Sequence, residues 1–215
     1  MAQTDFEKAE KLFDDKKFVA AINQYEKILS NDRTNEKILE RIGDSYGQLK
    51  NWDEATIYYK KLKNLKPKNA DYSYKYGGVL GMKAKESNRF VALGMLGDVR
   101  KAFENAIALN PKHIEARYAL IELYLQLPGI IGGSETKADR YANELQQLSP
   151  VDGHLAKARI ADYFNRLKVS EKQYVMAHQV GNSKITFQKL YEFYTKKLKD
   201  NAKAEKLQLQ YNQIK

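Results

Sequence analysis

The sequence of 215 residues contains no cysteine, only four prolines and no long hydrophobic run. The lack of cysteine excludes disulfides, thiolate zinc sites and thiol nucleophiles, although it does not indicate a redox compartment. With few prolines and an ordinary hydrophobic fraction of 43%, the chain is expected to be neither disordered nor fibrous. Because no apolar stretch approaches the ~20 residues that a helix needs to cross a bilayer, we expect a soluble protein without a transmembrane segment.

Positive charge is in excess, and most of it comes from lysine. The 37 Lys and Arg residues outnumber the 27 Asp and Glu residues, which gives a net charge of +10. The lysines are spread over many segments, such as residues 60–68 and 196–206. Proteins that read nucleic acid tend to use arginine, whose planar fork matches phosphates and guanine edges. The pattern therefore favours solvated helix surfaces. A basic surface that binds nucleic acid or an anionic envelope or membrane component is the alternative.

The first residues leave the cellular compartment open. Met1 to Asp5 run into the first helix without a charged and apolar leader. The protein is therefore either cytoplasmic, or periplasmic or secreted after removal of an export signal. The Ala2–Gln3 junction would suit a cleaved leader.

The sequence repeats itself at a constant interval of about 34 residues. Ala9 and Leu12 are followed one interval later by Gly43 and Tyr46. The same interval relates a second group of four positions, Phe18, Ala21, Tyr25 and Ile28, to Trp52, Ala55, Tyr59 and Leu62. The spacing within each half is that of a helix face, which predicts two helices in each repeat.

The stretch from Leu39 to Pro67 resembles a tetratricopeptide repeat (TPR), a helix–turn–helix unit of about 34 residues. The resemblance implies that a small residue of the first helix packs under an aromatic ring of the second. The small residues are Ala9, Gly43 and Gly77, and the rings are Tyr25, Tyr59 and Phe103. The fold implied is all-α: a right-handed α–α superhelix, or TPR-like solenoid, of about five helix pairs plus a C-terminal capping pair.

The repeat predicts a single domain over residues 1–215 with six parts. The repeats cover approximately residues 2–35, 36–69, 70–113, 114–150 and, in degenerate form, 151–182, and capping helices cover 183–215. About ten extra residues between Leu80 and Leu96 predict an enlarged helical hairpin that breaks near Ser87–Asn88. We expect this extension to contribute a partner contact or a dimer face.

The fourth repeat carries a glycine-rich loop, "LPGIIGGS", between its two helices. A phosphate-binding P-loop would follow a strand and would carry a lysine at a fixed offset, and this loop does neither. Ile130 and Ile131 are expected to be buried, and Ser134 is placed as an N-cap of the next helix. We therefore predict a structural connection, with ligand contact as the alternative because helix N-termini can bind anions.

The sequence offers little for catalysis. His113, His154 and His178 lack the spacing of paired metal ligands, and we expect His113 and His154 in solvent-facing loops or first turns. The carboxylate pairs Asp14/Asp15, Glu36/Glu40 and Glu115/Glu122 are expected on exposed helical faces. No arrangement of a nucleophile with a base, such as GxSxG, occurs. We predict a non-enzymatic protein with no catalytic residue, metal site or cofactor.

The resemblance to TPR proteins implies a peptide-binding groove lined by the first helix of each repeat. The groove positions carried over to this sequence are Phe6, Glu10, Phe13, Lys37, Glu40, Arg41, Asp44, Tyr74, Lys75, Tyr118, Glu122 and Gln126, with Asp14, Asp71, Gly78 and Glu115 at the remaining positions. An alternative is that Phe6 and Phe13 only cover the end of the repeat array. Phe6, Glu10 and Asp71 stand where a carboxylate-clamp branch of the family has Lys or Asn, which argues against a chaperone tail as the partner.

The function predicted is therefore a non-catalytic scaffold for protein–protein interaction that binds a peptide segment or a partner helix. The alternatives are the basic-surface binder described above and a self-assembling structural scaffold. We expect a protein or peptide ligand rather than nucleic acid, and a monomer or a homodimer.

Overall fold

The computed structural model describes residues 4–213, which contain twelve α-helices and no strand. The helices are α1 (Asp5–Asp14), α2 (Phe18–Leu29), α3 (Glu36–Gln48), α4 (Trp52–Leu65), α5 (Ala70–Glu86), α6 (Arg89–Leu109), α7 (Ile114–Gln126), α8 (Glu135–Leu148), α9 (Pro150–Tyr163), α10 (Leu167–Gly181), α11 (Lys184–Glu192) and α12 (Asn201–Gln213). The all-α prediction is confirmed. Residues 1–3 and 214–215, which include the Ala2–Gln3 junction and both expected domain ends, lie outside the described residues.

Most helices begin at a short polar side chain that accepts a hydrogen bond from a first-turn backbone N–H. These N-caps are Thr4, Asn35, Asn51, Asn69, Asn88, Ser134, Ser149 and Ser183. Each such cap stabilises a helix by about 1 kcal/mol. The local sequence therefore fixes where the helices start, including the predicted start at Ser183.

The chain divides into two compact units, one that runs to Ala116 and one that begins at Arg117. In the first unit, helices α1 to α6 pack in consecutive order, each on the next. The predicted contact of small residue and ring is present. A Cβ added at Gly43 would lie 3.0 Å from the Tyr59 ring, and one at Gly77 would lie 2.9 Å from the Phe103 ring. Glycine therefore lets α3 approach α4, and α5 approach α6, more closely than any larger residue would.

The third helix pair is longer than the pair before it. Helix α5 has 17 residues and α6 has 21, whereas α3 and α4 have 13 and 14. The break falls at Ser87 and Asn88, between the two helices. The start of α6 extends beyond the packed part of the pair, so Phe90 is 87% exposed.

The second unit contains α8 to α12, which also pack in consecutive order, and most of α7. Tyr124 of α7 stacks on Tyr141 of α8, with ring centroids 6.1 Å apart. Asn182 has φ +36° and ends α10, as the Gly181–Asn182 pair predicts. Between α11 and α12 the chain forms a π-helical turn, Phe193–Leu198, whose Phe193 and Tyr194 are buried. The predicted final helix pair is therefore present.

The "LPGIIGGS" loop connects α7 to α8, as predicted, and Ser134 accepts a hydrogen bond from the N–H of Lys137. A Cβ at Gly133 would lie 1.8 Å from the carbonyl oxygen of Leu127, so only glycine fits there. The expected burial of Ile130 and Ile131 is wrong, because they are 96% and 36% exposed. They lie on a single 3₁₀ turn, Gly129–Ile131, none of whose residues is buried.

The predicted solvent exposure of His113 and His154 is also wrong, because they are only 4% and 6% exposed. His113 accepts a hydrogen bond from the N–H of Ala116 at 3.2 Å, and so caps α7 from a buried position. His154 lies inside a helix, beyond its first turn. Pro150 already begins α9, so His154 lies one turn in, where its ring bonds to Gln173 of α10 at 2.8 Å.

Three of the paired carboxylates are only partly exposed, contrary to expectation. Glu36, Glu40 and Glu122 retain 30–36% of their side-chain exposure. Each forms an ion pair with a cation from a later part of the chain, namely Lys66, Lys75 and Arg159, respectively. Sequence spacing along one helix does not show such partners, because they come from outside that helix.

Candidate functional site

Twelve of the predicted groove positions lie on α1, α3 and α5 of the first unit, and contacts link most of the nine considered below from helix to helix. We call this surface the α1/α3/α5 face, and its residues are Phe6, Glu10, Phe13, Lys37, Glu40, Arg41, Asp44, Tyr74 and Lys75. The Lys37 ammonium lies 4.2 Å from the centroid of the Phe6 ring, and the Arg41 guanidinium lies 4.8 Å from that of Phe13. Lys75 lies 2.6 Å from Glu40. Cations of α3 and α5 therefore cover the side chains of the preceding helix of the face.

A set of three side chains repeats across this face. Glu10 of α1 accepts hydrogen bonds from the Tyr25 hydroxyl of α2 and from Arg41 Nη2 of α3, the latter at 2.7 Å. One repeat later, Asp44 accepts from the Tyr59 hydroxyl of α4, and Lys75 Nζ of α5 lies 3.4 Å away. We call each set an acid–tyrosine–cation trio. The trio ties three successive helices together.

The contacts within each trio shift the pKa values of its members. Burial works to raise the pKa of Glu10, but the hydrogen bonds from Tyr25 and Arg41 outweigh it and lower that pKa. Burial and the neighbouring carboxylate raise the pKa of Tyr25 and of Tyr59 above the ordinary value. Both hydroxyls are therefore protonated near neutral pH and act as donors to ionised carboxylates.

The trio does not continue into the third repeat. Gly78 stands one repeat after Asp44, and Phe103 takes the ring position of Tyr59. The acid and the tyrosine hydroxyl are thus lost together. A Cβ at Gly78 would meet no atom within 4 Å, so open space remains where the third acid would stand.

This open space belongs to a pocket of about 440 Å³, which we call the Trp52 pocket. It is lined by Gly43, Asp44, Gly47, Gln48, Trp52, Tyr59, Tyr74, Lys75, Gly78, Val79 and Met82. The Trp52 indole N–H is buried and has no hydrogen-bond partner among residues 4–213. An unpaired buried donor costs about 1–3 kcal/mol. The pocket therefore combines apolar and aromatic walls with the ion pair of Lys75 and Asp44.

The groove positions predicted in the second unit also have partners. The Tyr118 hydroxyl donates to the backbone oxygen of Asp152 at 2.9 Å, and burial raises the pKa of Tyr118 above its ordinary value. Glu122 forms a two-pronged ion pair with Arg159, at 2.7 and 2.8 Å. Gln126 donates to Glu122 at 3.2 Å. These residues form a set of their own within that unit.

The sequence prediction missed part of the pocket. The repeat pattern predicts four of its lining residues as groove positions, namely Asp44, Tyr74, Lys75 and Gly78. It predicts only a role in helix packing for Trp52. The signal that could have identified Trp52 is that it is the single tryptophan of the chain and lies in the first turn of a second helix. Gly47 and Met82 carried no signal, because their role depends on which helices meet around them.

The described residues contain no cluster of three or more His, Asp or Glu side chains that could hold a metal ion. In the same part of the chain, no helix combines the length and the apolar character of a membrane span.

The helix pairs and their contacts of small residue and ring define a TPR-like helical repeat protein. No family model matches the chain, and no curated protein matches it. Solved structures do match. A TPR protein from Parabacteroides merdae superposes with a TM-score of 0.65 at 18% identity, over 94% of this chain and 75% of the other. TTC0263, a TPR protein of Thermus thermophilus, gives 0.63 at 16% identity over 95% and 97%.

A third match is YrrB, described as a TPR protein with an unusual peptide-binding site. Its TM-score is 0.55 at 17% identity, over 85% of this chain and 87% of YrrB. Together with the helix order, these matches confirm the predicted TPR-like solenoid class and the resemblance on which it was based. At these identities they establish the fold.

Proposed function

We propose that the chain is a non-catalytic scaffold for protein–protein interaction, and that the α1/α3/α5 face of its first unit binds an extended peptide or a partner helix. The Trp52 pocket receives one apolar side chain of that ligand. The partner is a protein or peptide, and the role requires no cofactor or metal.

The observation that carries the proposal is the open space at Gly78 in a pocket lined by Trp52, Tyr59 and Tyr74. The volume of about 440 Å³ falls within the usual range of ligand pockets. Aromatic walls beside charges of both signs suit peptide recognition. The shared fold with YrrB, described as having a peptide-binding site, supports the same interpretation.

The test is to fill the pocket without disturbing the fold. A phage-displayed library of random peptides is selected on the full chain, and the recovered peptides are measured against two variants. Gly78→Met places a side chain in the pocket. Gly94→Met is the matched control, because Gly94 is also a helical glycine with no atom within 4 Å of an added Cβ, and it lies on α6 away from the pocket. Both changes raise helix propensity by about 1 kcal/mol, so neither should unfold the protein.

We expect Gly78→Met to abolish peptide binding and Gly94→Met to preserve it. Since Trp52 is the single tryptophan, its fluorescence should change when peptide binds to the wild type. Peptides that bind both variants equally, with no change in tryptophan emission, would contradict the proposed site.

A further inference from the structure

A second cleft of the first unit lies between α4 and α6 and has a volume of about 800 Å³. Lys60 and Lys63 of α4 line one side, and Lys101 of α6 lines the other. Tyr76 of α5, the amides of Asn64 and Asn105, and the carboxylate of Asp98 complete the polar lining. We call this the lysine cleft. It shares no lining residue with the Trp52 pocket, so the inference below is independent of the proposed function.

The three lysines of the cleft are not neutralised by nearby carboxylates. Among the described residues, none of Lys60, Lys63 and Lys101 has an ion pair within 4.0 Å. Other lysines of the same unit are paired: Lys75 and Lys83 of α5 lie 2.6 and 2.5 Å from carboxylates. Lys63 lies 4.9 Å from the centroid of the Tyr76 ring, a cation–π contact that brings no negative charge to the cleft. Positive charge therefore converges on a concave surface.

Two neutral groups are positioned in the same cleft. Asn105 donates from Nδ2 to the Ser73 hydroxyl at 2.8 Å, and Ser73 is fully buried, so the amide of Asn105 is held against α5. Burial, with a further contribution from Asp98, raises the pKa of Tyr76. The Tyr76 hydroxyl is therefore protonated near neutral pH and can donate a hydrogen bond. Asp98 is the single carboxylate of the lining.

The repeat supplies an internal comparison, which shows that the fold does not impose this charge. One repeat earlier, Glu26 and Leu29 stand at the positions of Lys60 and Lys63. If α6 is aligned on α4 through Phe103 and Tyr59, Ile57 corresponds to Lys101. The equivalent positions thus carry one acid and two apolar residues. The cationic set is particular to the α4/α6 cleft.

We propose that the lysine cleft binds a compact polyphosphate group. Ammonium groups act as point charges that suit the tetrahedral oxygens of phosphate, whereas a planar carboxylate is better matched by the arginine fork, which this cleft lacks. Three lysines and Asp98 give the lining a net charge of 3 − 1 = +2, so a ligand with several negative charges gains more from the cleft than a ligand with one. The same chemistry occurs in free polyphosphate, in a nucleoside triphosphate and in a polyphosphorylated lipid headgroup.

The proposal is tested by isothermal titration of the full chain with inorganic tripolyphosphate, at low and at physiological ionic strength. The variant Lys60→Gln/Lys63→Gln/Lys101→Gln removes the cationic set. The control Lys11→Gln/Lys27→Gln/Lys85→Gln removes three exposed lysines of the same unit that line neither cleft. Both variants have the same net charge, 10 − 3 = +7. Thermal unfolding followed by circular dichroism checks that both are folded.

We expect the first variant to weaken tripolyphosphate binding by about tenfold or more, and the control by much less, because each removed charge lies close to the ligand only in the first. Asp98→Asn should strengthen binding, a change in the opposite direction that unfolding cannot produce. Equal weakening by both triple variants, or no binding by the wild type, would overturn the proposal.

Two further binding measurements, with a nucleoside triphosphate and with lipid vesicles, identify the source of the phosphate group. A nucleoside triphosphate that binds more tightly than tripolyphosphate would support the proposal and assign the group to a nucleotide. Vesicles containing phosphoinositides that bind alongside tripolyphosphate would support it and add a headgroup as a ligand. Binding of vesicles or of a glutamate-rich peptide, without binding of either soluble polyphosphate, would overturn it.

Discussion

Gly77 and Gly78 are neighbours on α5, and alanine should act on them in opposite directions. At Gly77 an added Cβ would lie 2.9 Å from the Phe103 ring and 3.0 Å from the Cβ of Ala102. At Gly78 it would meet nothing within 4 Å. Both positions are inside the same helix. The gain in helix propensity is therefore the same, and the two variants differ only in steric fit.

The expected magnitudes follow from these contacts. Replacing a helical glycine by alanine stabilises by about 0.5–1 kcal/mol, so Gly78→Ala should be more stable than the wild type. Forcing a methyl group into a packed contact costs about 1–3 kcal/mol, so Gly77→Ala should be less stable than Gly78→Ala by that amount. For a chain of this size, the difference corresponds to roughly 2–12 °C in Tm.

Thermal unfolding followed by far-UV circular dichroism measures the difference. Phe103→Leu provides the control, because it removes the ring that the new methyl group contacts. In the double variant Gly77→Ala/Phe103→Leu, the effect of Gly77→Ala should shrink by at least about 0.5 kcal/mol, which is the coupling expected of residues in contact. Equal Tm values for Gly77→Ala and Gly78→Ala would refute the argument that glycine at 77 is required by the Phe103 ring.

Two further predictions concern the Glu10 trio and the loop between α7 and α8. The pKa of Glu10 is lower in the folded protein, so its contribution to stability is present above the unfolded pKa of about 4.3 and is lost as pH falls through the folded value. The stability difference between wild type and Glu10→Gln, measured by urea unfolding, should therefore be largest near neutral pH and shrink in acid; a difference independent of pH would contradict it. Gly133→Ala should destabilise the second unit, because its Cβ would lie 1.8 Å from the Leu127 carbonyl oxygen. Gly129→Ala is the control, since a Cβ there meets nothing within 4 Å, and equal Tm values for these two variants would count against a close backbone approach at Gly133.

The regular part of the fold could be predicted from the sequence because its determinants are local and periodic. The pairs Gly43/Tyr59 and Gly77/Phe103 recur at positions that the repeat fixes, and the caps at Asn88, Ser134 and Ser183 mark helix starts by themselves. The insertion between Leu80 and Leu96 was identified because it disturbs an otherwise constant interval.

The predictions that were wrong depended on contacts between helices. His113 and His154 were expected in solvent-facing loops or first turns, but packing against other residues buries both. Ile130 was expected in the interior because it is apolar, but it lies on a short 3₁₀ turn that leaves it 96% exposed. In each case the burial of the residue depends on neighbours that the local sequence pattern does not contain.

The sequence by itself therefore determined the helical hairpins, their order and the small residue beneath each ring, because these depend on spacing along one or two neighbouring helices. Only the tertiary structure brought Trp52, Tyr74 and Gly78 together around one pocket, and Lys60, Lys63 and Lys101 around one cleft. Both sites draw residues from three helices, and the direction in which each side chain faces is set by how those helices pack.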